Sequence, residues 1–145
     1  MLKTVRALDG QAFSAYLSAN QATTVYTFTK ILIDTEEFDL GSCFNTVSSR
    51  FQPTQAGYYN ITAGIALATG AGFVYPALVK NGILAKGGNT TTVNALNTSA
   101  NVAALVYLNG TTDYVEFYVF QNAGVGHLAI AGAANTYFQA SLARV

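Results

Sequence analysis

The sequence predicts an all-β fold, a sandwich or closed barrel of about ten short strands. Three observations carry this. Helical periodicity is nearly absent from the 145 residues. Gly, Thr, Asn, Tyr and Val are plentiful while proline is confined to Pro53 and Pro76, which is the vocabulary of strands and turns. Turn signals also recur between short alternating runs along the whole chain.

In chain order, a segment 1–11 precedes the first alternating run, 12–17. Runs at 25–34 and 48–53 flank the turn signal Asp39-Leu-Gly41. A long run, 57–68, ends at Thr69-Gly-Ala-Gly72, and 73–80 ends at Lys80-Asn-Gly82. The runs 83–87 and 92–97 are separated by Gly87-Gly-Asn89. The run 101–108 ends at Asn109-Gly110, and 113–121 ends at Asn122-Ala-Gly124. The last run, 127–144, is expected to split near Gly132. Asn-Gly at 81–82 and 109–110 is the strongest hairpin signal, because it accepts the positive φ angles of tight turns.

Two strands are apolar on both faces. In 113–121, Val115, Phe117 and Val119 oppose Tyr114, Glu116, Tyr118 and Phe120. In 101–108, Val102, Ala104, Val106 and Leu108 oppose Ala103, Leu105 and Tyr107. A solvent-facing antiparallel strand alternates apolar with polar residues, so the second face needs a cover. A domain of this size has no spare layer, and a subunit interface is the natural cover. Tyr107, Tyr114, Tyr118 and Phe120 are the expected interface residues.

Composition narrows the function. Charged residues make up only 10%, and seven Lys and Arg balance seven Asp and Glu. Such a surface has no field to hold nucleic acid or anionic lipid. No continuous apolar stretch of about 20 residues is present for a spanning helix. The first residues lack the apolar centre of a signal peptide. The single cysteine, Cys43, cannot form an internal disulfide and reads as a small buried residue.

Asp39, Phe44, Phe51, Gly57 and Tyr59 fall in the order D-x(4)-F-x(6)-F-x(5)-G-x-Y. This resembles the signature of the complement one-q globular head, a branch of the TNF-like jelly rolls. The family pattern has aromatic residues where this chain has Ile33, Ile61 and Ala63. Further similar pieces follow in the family order: Ala12-Phe-Ser-Ala15, Leu78-Val-Lys-Asn-Gly82, 105–115 and Tyr137-Phe-Gln-Ala-Ser-Leu142. The resemblance implies a ten-stranded jelly-roll sandwich over 12–145, assembled as a homotrimer with aromatic residues along its axis. Independently of it, Gly57 suits a close backbone approach, and Phe51, Tyr59 and Ile61 suit the space between two sheets.

Little in the chain suggests chemistry. The lone His127 has no partners legible from spacing. Glu36, Glu37 and Asp39 form the one acidic cluster, but adjacent strand residues point to opposite faces, and Asp39 suits a turn. No phosphate-binding loop has the strand–loop–helix context it needs. Sequons at Asn60, Asn89, Asn97 and Asn109 matter only in a secretory protein. No catalytic residue, metal or cofactor is expected.

The low charge and the Thr/Asn/Ala-rich style resemble the one-q-like domains of bacteriophage structural proteins. The expected function is a non-enzymatic virion component: a capsid decoration (cement) protein bound to the major capsid protein. Its arm 1–11, with Leu2, Lys3, Val5, Arg6 and Leu8, would dock on the shell. The alternative is a trimeric fibre tip that recognises a host-surface glycan or protein through loops 69–73, 87–92 and 122–127.

Overall fold

Alternating β-branched and aromatic runs pair into two antiparallel sheets of seven strands each, packed face to face. The structure, a computed structural model, describes residues 10–68, 72–93, 98–123 and 127–145, without the side chains of 91–93. In chain order the strands are β1 (Ala12–Tyr16), β2 (Gln21–Ala22), β3 (Thr29–Lys30), β4 (Thr35–Leu40), β5 (Phe44–Asn45), β6 (Arg50–Phe51) and β7 (Gly57–Leu67). They continue with β8 (Gly72–Lys80), β9 (Ile83–Gly87), β10 (Thr91–Val93), β11 (Thr98–Leu108), β12 (Val115–Gln121), β13 (Leu128–Ala129) and β14 (Tyr137–Arg144).

The first sheet runs β11–β7–β14–β1–β4, with β13 and β2 extending from one end of β7. The second runs β8–β12–β6–β5, with β9 and β10 along one border of β8 and β3 beside β12. The first long strand and the last are neighbours, so the chain closes on itself as a jelly roll.

The described residues form fourteen strands where the sequence suggested ten, because β2, β4 and β5 pair outside the expected runs and the last run yields two strands. Several expected runs also shrink to two-residue pairings. The run 25–34 contributes only β3, and 48–53 only β6. The segment 35–40, which lies outside the expected runs, is the edge strand β4. Its carboxylates lower β-propensity, but charges belong on an edge strand, where they block further pairing. The last run splits as expected: β13 ends at Ala129 and β14 starts at Tyr137, with Gly132 at φ +107 between them.

The two Asn-Gly signals have different outcomes. Asn81 and Gly82 both take positive φ (52 and 79) and close the β8–β9 hairpin. Asn109-Gly110 makes no two-residue hairpin, since β11 and β12 lie in different sheets. There Asn109 Oδ1 accepts the backbone N–H groups of Thr111, Thr112 and Asp113 at 3.0 Å each and shapes a wider crossing.

The core is aromatic at one end. Phe13 stacks on Phe44 at 4.4 Å and meets Phe51 at 5.0 Å and Phe138 edge-on at 5.1 Å. Burying each such ring contributes about 2–3 kcal/mol.

Candidate functional site

The signature residues build this core rather than a binding surface. Phe44, Phe51 and Tyr59 are buried, and the Tyr59 hydroxyl donates to the Gln55 carbonyl at 2.8 Å. Burial pushes the Tyr59 phenol up to about 12. Ile33, Ile61 and Ala63, the departures from the family pattern, are buried with them. Gly57 sits where a Cβ would lie 2.6 Å from both the Arg144 carbonyl oxygen and Leu142 Cδ1, so β14 can approach only a glycine. Asp39 accepts the backbone N–H groups of Cys43 (2.9 Å) and Phe44 (3.0 Å), closing the turn between β4 and β5.

The four expected interface residues divide between the two sheets. Tyr114, Tyr118 and Phe120 lie on the outer side of β12 or just before it, in the second sheet. Tyr107 lies on the outer side of β11, in the first. All four are half-buried or exposed, but they form no single surface.

The chain itself partly covers the β12 face. Phe28 packs against Phe120 at 5.5 Å and Tyr75 at 6.2 Å, while Phe73 stacks on Phe120 at 5.8 Å. Glu116, in the middle of this aromatic strand, is buried and shared by two cations. Lys30 Nζ reaches its Oε1 at 2.6 Å, and Arg50 Nη2 reaches the same oxygen at 3.0 Å. The Arg50 guanidinium also lies 3.6 Å over the Tyr114 ring. Burial, and then Glu116, raise the Tyr118 phenol above its ordinary value. Sequence reasoning missed this ion triad. Its one visible signal was a glutamate flanked on its own face by Tyr114 and Tyr118.

Among the described residues, nothing comparable covers the outer face of the first sheet. Register places Tyr58 opposite Tyr107, Asn60 opposite Leu105, and Thr62 opposite Ala103. Across β14 the same rows continue through Ser141 and Gln139 to Ala12 and Ser14, then to Leu40 and Phe38 on β4. Leu105, Tyr107 and Tyr58 keep 53%, 47% and 46% of their surface, and Phe38 and Leu40 are similarly bare. Charge reaches this face only at its margins among the described residues, from Arg144 opposite Tyr58 and from Glu37 on the Ser14 hydroxyl. Tyr58 was missed as Tyr107's partner because only the pairing register shows them opposite.

The remaining candidates have structural partners. His127 is buried, its Nδ1 2.9 Å from the Ala68 carbonyl and its Nε2 2.6 Å from that of Ala123. Glu37 accepts the Ser14 hydroxyl at 2.6 Å. Among the described residues no group of three or more His, Cys, Asp or Glu could hold a metal. The arm residues Leu2, Lys3, Val5, Arg6 and Leu8, the sequon at Asn97, and parts of the loops 69–73 and 122–127 lie outside the described residues.

No known sequence family and no curated relative matches the chain. Solved structures do. Murine APRIL superposes with a TM-score of 0.70 at 9% identity, over 92% of this chain and 98% of its own. The globular domain of zebrafish complement 1qA gives 0.69 at 13% identity, over 93% and 99%. Eiger TNF from S. frugiperda gives 0.67 at 10% identity, over 92% of each chain. At these identities the likeness is one of fold: a TNF-like jelly roll of the kind found in complement one-q heads.

Proposed function

We propose that this chain is a non-enzymatic structural domain that assembles as a homotrimer through the outer face of its first sheet. The observation that carries the reading is the cluster of half-exposed Tyr58, Leu105 and Tyr107 at one border of that face, with Phe38 and Leu40 exposed at the other. Large apolar side chains gathered on one sheet face are the mark of an association surface. A chain with balanced charges has little net repulsion to oppose that association. Threefold symmetry comes from the resemblance to the one-q and TNF-like jelly rolls. Sedimentation equilibrium should return about three times the 15.3 kDa chain mass. A clean monomer at micromolar concentration overturns the reading.

Within that class, the working place proposed is the surface of a bacteriophage head, as a decoration protein on the major capsid protein. The low charge and the resemblance to phage one-q-like domains support this. Docking is assigned to the arm bearing Leu2, Lys3, Val5, Arg6 and Leu8. The arm's last residue, Gln11, already belongs to the fold: its side chain binds the Gly41 carbonyl (2.8 Å) and the N–H of Thr54 (2.7 Å). Deleting residues 1–9 should therefore leave the trimer folded but unable to bind capsids. Immunogold label on heads supports the proposal, and label on tail fibres replaces it with the receptor-binding alternative.

A further inference from the structure

On the second sheet, a cleft of about 390 Å³ opens beside β5 and β6, on the border opposite β9. Its polar lining includes Asn45, Ser48, Arg50, Gln52, Thr54 and Thr111. That volume lies within the range ligand pockets occupy. The lining holds one cation, several hydroxyl and amide groups, and no carboxylate.

Arg50 is the organised element. Its Nε and Nη2 both donate to Glu116 Oε1, at 3.2 and 3.0 Å, and its plane is held against Tyr114. A guanidinium has five N–H donors, so three remain after these two bonds, at the end facing away from Glu116. Glu116 is already neutralised by Lys30 at 2.6 Å, leaving the three-residue group with one excess positive charge. Among the described residues no other carboxylate pairs with Arg50. The pre-set guanidinium loses little freedom when an anion binds.

We propose that this cleft binds an acidic sugar unit. Its carboxylate pairs with the free end of Arg50, and its hydroxyls meet the Ser48, Asn45, Gln52 and Thr111 side chains. One cation among several neutral donors and acceptors matches a ligand with one carboxylate on a polyhydroxylated ring better than it matches a multiply charged phosphate. The site does not depend on the assembly reading, because the cleft lies on a different sheet from the proposed interface.

The test is an NMR titration of the isotope-labelled full chain with methyl galacturonide, methyl galactoside and inorganic phosphate. The acidic sugar should shift the Ser48, Arg50 and Gln52 amides and bind about tenfold tighter than the neutral sugar. Phosphate should bind more weakly than the acidic sugar. Arg50→Gln should abolish the difference between the two sugars. Ser48→Ala combined with Gln52→Ala leaves the ion triad in place, and should weaken the acidic sugar severalfold at unchanged melting temperature. If Arg50→Gln fails to fold, this double variant decides. Absent shifts, equal affinity for the two sugars, phosphate binding as tightly as the acidic sugar, or an unaffected double variant each overturn the proposal.

Discussion

Tyr58 and Tyr107 stand directly opposite each other across the β7–β11 pair, their ring centroids 5.3 Å apart, and each keeps nearly half its surface exposed. A cross-strand aromatic pair stabilises a sheet, but a packed pair left half exposed on a sheet face also invites a second subunit. Because neither ring nor Leu105 is buried within the protomer, charging them should spare the fold. Leu105→Asp with Tyr107→Asp is expected to give a monomer by sedimentation velocity, with an unchanged far-ultraviolet spectrum. A trimer of wild-type mass would remove this face from the interface.

The buried carboxylate of Glu116 holds two cations that are only partly shielded from water, their side chains 24% and 34% exposed. Glu116→Gln strands both, at a cost of about 1–3 kcal/mol, below the full penalty for a wholly buried pair. Adding Lys30→Met should recover part of this by removing one stranded charge. Urea denaturation of both single variants and the double variant measures the coupling.

Two glycines should respond for different reasons. Gly57→Ala forces a methyl group against the Arg144 carbonyl and Leu142, and should cost about 1–3 kcal/mol. Gly82→Ala meets nothing within 4 Å, and its φ of +79 alone sets the penalty, about 1 kcal/mol. Thermal melts of the pair separate steric from conformational cost.

Asp113 is held below the usual carboxylate range, first by the Asn81 side-chain amide and then by Lys80. Its folded pKa is depressed, so the stability it contributes is present above the unfolded value of about 3.9 and is lost as pH falls through the folded one. The urea midpoint should therefore drop between about pH 5 and pH 3, and Asp113→Asn should flatten that drop. An identical pH profile in the variant would contradict the assignment.

Cys43 is buried and lies 3.2 Å from the Asp39 carboxylate. Burial first, and then Asp39, raise its thiol well above the ordinary range, so the thiolate is scarce at neutral pH. Ellman's reagent should react with it only after unfolding. Prompt reaction in the native state would show that the β4–β5 turn opens.

Much of the core was legible in the chain. Phe51 and Tyr59 lie in alternating runs, where a period of two assigns each to the inward face whatever its partner strand. Phe44 and Gly57 were marked by the spacing of the one-q-like signature. Asn81-Gly82 announced its hairpin for a similarly local reason, since only residues tolerant of positive φ close such a turn. The strand Thr35–Leu40 was not legible: its acidic residues speak against a strand until β1 is there to pair with it.

Alternation alone makes strands 101–108 and 113–121 apolar on both sides, so part of this surface needs a cover. Which part is left bare depends on how the sheets pack. The tertiary structure put β11 and β12 in different sheets, so Tyr107 and Tyr118 point away from each other, and it brought Phe28 and Arg50 over the β12 face alone. It also joined Lys30, Arg50 and Glu116, as many as 86 residues apart in sequence, into one ion cluster. Periodicity records the side of a strand on which a residue lies. It holds no record of which strand lies alongside or which loop folds across, because those contacts join residues distant in the chain and exist only once the sheets have packed.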